Sequence, residues 1–276
     1  MHPTHVEFDT ILEHMLGQRL PGRPKQEPYV QSVTQNYKLG SRLQGEDGLI
    51  RHYCRCGANG VAAAYRDRGM ASLVTPSGAF TVVGAHVAGS RTLVISDAGI
   101  AADRPAGYYA NGKVEIWVDI PSLYHMHRMI KDSTVGNGTS ITLTLYHPLI
   151  FDVPNGTGME ICRSIYAEVD QTDAIATPAR KSIACVPVLI TPITALYYFW
   201  GQTWGMCTLA VGAPGGVMGN VDNDRDVYFQ TNEGSMLTTL NAPGIALGTS
   251  SEQRAGFLLP NSAGGGQSII MLQLDP

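Results

Sequence analysis

The sequence predicts a mainly β protein, with antiparallel β-barrel or sandwich domains behind an N-terminal helix and an extended arm. Three observations predict it. Short apolar runs recur almost to the end of the chain, many alternating with a period of two. Gly, Pro, Asn or Asp bounds each of them, which suits a fold of 31 glycines and 16 prolines. Only the first 16 residues carry an apolar stripe with helical spacing.

The helix starts on Thr4 and Glu7, whose capping-box spacing lets a hydroxyl and a carboxylate satisfy free N–H groups. Phe8, Ile11, Leu12, Met15 and Leu16 then form one stripe. Gly17 is placed to end the helix, and Pro21, Pro24 and Pro28 favour an extended chain through the rest of an arm spanning 1–36. A helix this short is marginal in water, so its stripe needs a cover, either the body of this chain or another subunit. The arm holds Arg19, Arg23 and Lys25 against Glu7, Asp9, Glu13 and Glu27. Phosphate binding needs clustered positive charge, so the arm is matched to protein and not to nucleic acid.

The strand-like runs are 49–54, 80–83, 92–95, 113–120, 140–146, 196–203, 207–211 and 268–274. Val114, Ile116 and Val118 alternate with Glu115, Trp117 and Asp119, and Ile141, Leu143 and Leu145 alternate with Thr142, Thr144 and Tyr146. Asn111-Gly112 is a hairpin signal, because both residues tolerate positive φ. Charge falls sharply near residue 181: residues 182–276 carry only Arg225, Arg254, Asp222, Asp224, Asp226, Glu233, Glu252 and Asp275. With Thr177-Pro178, this places a domain boundary near 180.

Charged residues are 15% of the chain, against roughly 25% in an average soluble domain. The surplus of weakly polar surface suits an oligomer interface, and a large core is the alternative use for it. No basic segment precedes an unbroken apolar run, and Pro187 and Pro192 interrupt the most apolar window, Ile183 to Trp200. Neither a secretory signal nor a membrane span is expected, and the reading is synthesis in a cytoplasm. Five irregularly spaced cysteines, Cys54, Cys56, Cys162, Cys185 and Cys207, are expected as reduced, buried thiols.

His125 and His127 sit on a predicted strand with both imidazoles on one face. A metal site needs three or four ligands, and Asp132 lies beyond Arg128 and Lys131, so surface or interface histidines are expected. Asp222, Asp224, Asp226 and Glu233 match positions 1, 3, 5 and 12 of a Ca²⁺ loop, but Val227 stands where the turn requires Gly. That cluster reads as a solvated loop. Cys54-x-Cys56 has no second pair, and 212–219 and 264–266 lack the Lys-Ser/Thr of a phosphate loop. There is no Gly-x-Ser-x-Gly elbow and no His-Glu-x-x-His. No enzyme, cofactor or metal is predicted. Tyr198, Trp200 and Trp204 lie on a strand apolar on both faces, which is either core or a subunit interface anchored by aromatics.

Three segments in order carry a resemblance. Tyr37-Lys-Leu-Gly-Ser-Arg-Leu43 resembles the "YxLGTRL" opening of capsid auxiliary proteins of tailed phages. Gly107 to Leu149 (GYYANGKVEIW, YHMHRMIKDS, TSITLTLYHPL) resembles their middle domain, and Tyr198 to Cys207 (YFWGQTWGMC) resembles their "YGWxQTxGxC" strand. The resemblance implies a decoration or cement protein on the exterior of the virion, with the major capsid protein as partner. It also implies a homo-oligomer, a trimer, and a β domain of 79–181 inserted into one built from 37–78 and 182–276. The partner-binding residues expected are Phe8, Ile11, Leu12, Met15 and Leu16 on the arm, with Tyr198, Trp200 and Trp204 on the body. The arm of 1–36 is not part of the family pattern. The rival expectation is a tail, baseplate or host-adhesion protein; a cupin-like metalloenzyme using His125 and His127 ranks third.

Overall fold

The protein is described here from a computed structural model, which covers residues 26–45, 47–62, 67–72, 79–96, 104–118, 124–136, 138–171, 182–188, 192–211, 225–229, 235–238, 253–259 and 267–275. The helix expected over 4–16 lies outside the described residues. Within them the chain is all β, and every strand pairing is antiparallel.

In chain order the first strands are β1 (Arg42–Gln44), β2 (Ile50–Arg55) and β3 (Met70–Ser72). Then come β4 (Ala79–Thr81), β5 (Thr92–Ser96), β6 (Lys113–Val118), β7 (Tyr124–Ser133), β8 (Ser140–Leu145) and β9 (Gly158–Cys162). The chain finishes with β10 (Val169–Gln171), β11 (Ile183–Pro187), β12 (Tyr198–Ala210), β13 (Asp226–Phe229), β14 (Met236–Thr238), β15 (Arg254–Leu258) and β16 (Gln267–Gln273).

Strands β4 to β9 make a six-stranded sheet in the order β4-β9-β6-β7-β8-β5. A Val82–Ile95 bridge and the Val83 N–H donated to Val94 O bring its edges together into a nearly closed barrel. Alternation explains its core: Val114, Ile116, Val118, Ile141, Leu143 and Leu145 all point inward with Leu93, Ile95, Met159 and Ile161. Closure also removes most exposed strand edge. Asn111 does take positive φ, at 57°. Its turn, however, leads from an irregular segment into β6 instead of joining two strands. Gly112 is required there, since a Cβ would lie 2.9 Å from Tyr109 O.

The other ten strands form a half-barrel ordered β10-β3-β11-β12-β16-β15-β13-β14, with β2 on the free edge of β12 and β1 beyond it. Strand β12 organises it. At Gly201 and Gln202 it pairs β2 on one edge and β11 on the other, and from Trp204 to Ala210 it pairs β16. A parallel Cys56–Val169 bridge brings β10 back beside the end of β2. Two cores result. One holds Leu209, Val227, Phe229, Leu258, Ile270 and Leu272, and the other Cys54, Cys56, Met70, Cys185 and Phe199. All five cysteines are free.

The motif 37–43 lies where the two sheets meet. Lys38 Nζ donates to Lys131 O at 3.2 Å, and Asn111 Nδ2 donates to Leu39 O. Gly40, at φ 78°, has Ser164 Oγ and Tyr166 within 3.3 Å of where a Cβ would stand.

Gly201 shows how tightly the half-barrel is built. Its missing Cβ would lie 2.6 Å from Cys185 Cβ and 3.2 Å from Cys54 Sγ, two thiols that themselves meet at 3.7 Å. Gly201→Ala is therefore expected to cost about 2–3 kcal/mol through overpacking. Gly158→Ala on β9, which would meet nothing closer than Trp117 at 3.9 Å, is the near-neutral control. Denaturant unfolding of both variants checks this.

Candidate interaction surface

The first described residue is already held in the body. Gln26 is buried, and its Nε2 donates to Val30 O at 2.7 Å and to Tyr198 O at 2.9 Å. Its Oε1 accepts from the Tyr53 hydroxyl at 2.6 Å, and its backbone carbonyl accepts from Trp200 Nε1 at 3.2 Å. Pro28 sits inside a turn closed by Val30 N–H to Glu27 O, a favoured place for proline. Ser32 then bridges Tyr198 through paired backbone bonds. The segment from Gln26 to Asn36 is thus packed on β12 and β2.

This anchor is aromatic. Tyr37, Tyr53 and Trp200 rings lie 5.0–5.3 Å apart in edge-on or tilted contacts, and Tyr53 stacks on Tyr198 at 6.0 Å. Burial pushes the Tyr53 hydroxyl up to about 12, so it stays a donor at any ordinary pH. Trp200 is 2% exposed, and its indole N–H is spent on Gln26. It holds the body and offers no surface to a partner, while Tyr198 and Trp204 remain half-buried. Phe8, Ile11, Leu12, Met15 and Leu16 lie outside the described residues.

Further along β12 the outer face opens. Trp204, Met206 and Thr208 stand on it opposite Gln273, Met271 and Ile269 of β16. Phe257 of β15 pairs Met271 on the same face. Leu259 follows two residues later, where its N–H donates to Ile269 O. The alternating burial of β16 proves the facing: Ser268, Ile270 and Leu272 are buried, while Met206 is 59% and Ile269 41% exposed. One ion pair borders the face, Arg254 Nη2 to Asp226 Oδ1 at 2.9 Å. Asp226 is the only member of the acidic cluster among the described residues. Among the described residues this face groups exposed apolar side chains, with Thr208 and Gln273 as its polar members.

His125 and His127 share an exposed face of the barrel, 3.9 and 3.8 Å from the same Glu115 oxygen. Among the described residues no group of three or more His, Cys, Asp or Glu is arranged to hold a metal ion.

One buried polar group escaped the sequence reading. His52 stacks on Tyr166 at 4.6 Å, and its Nδ1 lies 3.0 Å from Thr203 Oγ1. Thr203 donates its hydroxyl to Asp275 O at 2.6 Å, so a neutral His52 donates Nδ1–H to Thr203. His52 Nε2 faces the Asp275 carboxylate at 3.8 Å, and that carboxylate accepts from the Tyr166 hydroxyl at 2.7 Å. These groups bond to one another and tie the chain's last residues to β2 and β12. No local spacing could reveal them, since positions 52, 166, 203 and 275 are joined only by the fold.

Comparison with known protein families, curated proteins and solved structures finds no match for this chain.

Burial lowers the His52 pKa from 6.5 to about 4, outweighing the attraction of Asp275. The unfolded chain takes up this proton near 6.5 and the folded chain only near 4. Stability is therefore complete above 6.5 and falls as pH drops toward 4, by up to about 3 kcal/mol. Denaturant unfolding at pH 7, 5.5 and 4.5 should show that loss, and His52→Gln should flatten it.

Proposed function

We propose that the chain is a non-catalytic virion structural protein, a cement or decoration protein on the outside of a tailed-phage head. The observation that carries this reading is the outer face of β12, β16 and β15. Among the described residues it presents thioether, aromatic and aliphatic side chains, with Thr208 and Gln273 as polar members. Such a surface serves adhesion. The resemblance of 37–43, 107–149 and 198–207 to phage capsid auxiliary proteins supports the same reading and supplies the partner, the major capsid protein. The low charge of 182–276 suits association of copies around a symmetry axis, with a trimer as the expected form.

The mechanism is mass action. A protein that binds the assembled shell and not its dissociated subunits stabilises the shell by its binding free energy at every occupied site. Apolar arm and β-domain contacts supply that energy, without a chemical step.

The test uses heads lacking this protein. Full-length chain is expected to bind them in stoichiometric amounts and raise their melting temperature. Deletion of 1–25, which spares Gln26 and the Tyr53–Trp200 anchor, is expected to lower both occupancy and melting. Full occupancy and unchanged melting with the truncated chain would sink the arm's role. Localisation of the protein to the tail in labelled particles would replace the head by a tail, baseplate or adhesion assignment.

A further inference from the structure

Two apolar surfaces in this chain need a cover, and they lie within reach of each other. The first is the sequence stripe of Phe8, Ile11, Leu12, Met15 and Leu16. The second is the outer face bearing Trp204, Met206, Ile269, Met271, Phe257 and Leu259. The chain before Gln26 leaves from the same strand that carries the face, because Gln26 is fixed to Tyr198 and Trp200. Met206 lies six positions beyond Trp200, about 20 Å along the strand. Residues 17–25 separate the stripe from Gln26, and nine residues span at most about 30 Å.

We infer that in the free protein the apolar stripe of 8–16 seats on the outer face of β12, β16 and β15 of the same chain. Three arguments select this occupant. Reach is sufficient within one chain. A short tether holds the stripe at an effective concentration in the millimolar range, far above a second copy in dilute solution. Charge also agrees: the six named residues of the face and the five of the stripe are all uncharged. Bringing them together desolvates no unpaired ion. Seating each adhesive surface on the other keeps both from water until a shell offers a larger cover. The contact goes beyond the proposed function and concerns the isolated protein alone, so its failure leaves that reading standing.

The test places a benzophenone amino acid at position 12 of the full-length protein. An equimolar mixture of isotopically heavy and light chains is irradiated and the crosslinked peptides are mapped by mass. The expected products join position 12 to 204–210 or 267–273 within one chain. Heavy–light products would overturn the inference in favour of a second copy. Crosslinks to Val30, Val33 or Leu196, the exposed apolar residues beside Gln26, would overturn it in favour of the arm's base, and no crosslink to the body would overturn it outright. Trypsin cleavage after Arg19 gives an independent readout. Ile269→Asp should accelerate it by roughly tenfold by weakening the seat. If that variant fails to fold, Leu12→Asp should give the same acceleration from the arm's side. Unchanged cleavage in the arm variant would overturn the inference.

Discussion

The backbone pairing of β12 is the constraint on which the rest of the half-barrel depends. Over thirteen residues this strand is bonded to β2, β11 and β16, so it joins both cores of the larger sheet. A strand paired on both edges and packed at its inner face must be apolar there and small where neighbours converge. Phe199 and Leu209 meet the first demand, and Gly201 meets the second beneath Cys54 and Cys185. Gly205 meets another: at φ 98°, beside a register shift at 202–204, it lets the strand bend past Leu49. Because β12 is fixed, so are the sites on it. Trp200 closes over Gln26 at one end, and Met206 faces solvent at the other.

Much of the β architecture was legible because alternation is a local property. The runs at 113–118 and 140–145 bury every second residue as their sequence requires. The barrel follows once those faces need a common interior. What failed to show in the sequence was non-local or irregular. The runs at 196–203 and 207–211 read as two strands because Gly205 looks like a break, whereas it is a bend within one. Strands β3, β10 and β14, three residues each, carry too few positions for a period to appear. Asn111-Gly112 has the backbone geometry its sequence implies but a different topological use, because turn chemistry fixes φ and not which strands flank it.

The candidate surface was legible in kind and not in place. An aromatic-rich strand at 197–204 pointed to core or interface, and the fold divides it: Phe199 enters the core, Trp200 is buried beneath the Gln26 segment, and Trp204 stands at the margin of the outer face. The members of that face, Met206, Ile269, Met271 and Phe257, come from three strands and share no motif. Only cross-strand register assembles them. The His52–Thr203–Asp275–Tyr166 group is hidden for the same reason.

Low charge and an apolar outer face are two aspects of one physical problem. A surface with few ions has little to resist association, so a chain like this one must hide apolar area or use it. The edges of the smaller sheet are hidden by closure across Val82 and Ile95. The half-barrel is tied by the Cys56–Val169 and Val211–Met236 bridges, yet among the described residues its outer face is left to something beyond the sheet. A tethered segment suits that task better than a rigid extension of the fold, because a tether can release its seat when a competing surface offers more area. Gln26 is held firmly at the base of the arm. A segment proposed to exchange covers needs one fixed end, and four hydrogen bonds of Gln26 to Val30, Tyr53, Tyr198 and Trp200 would provide it.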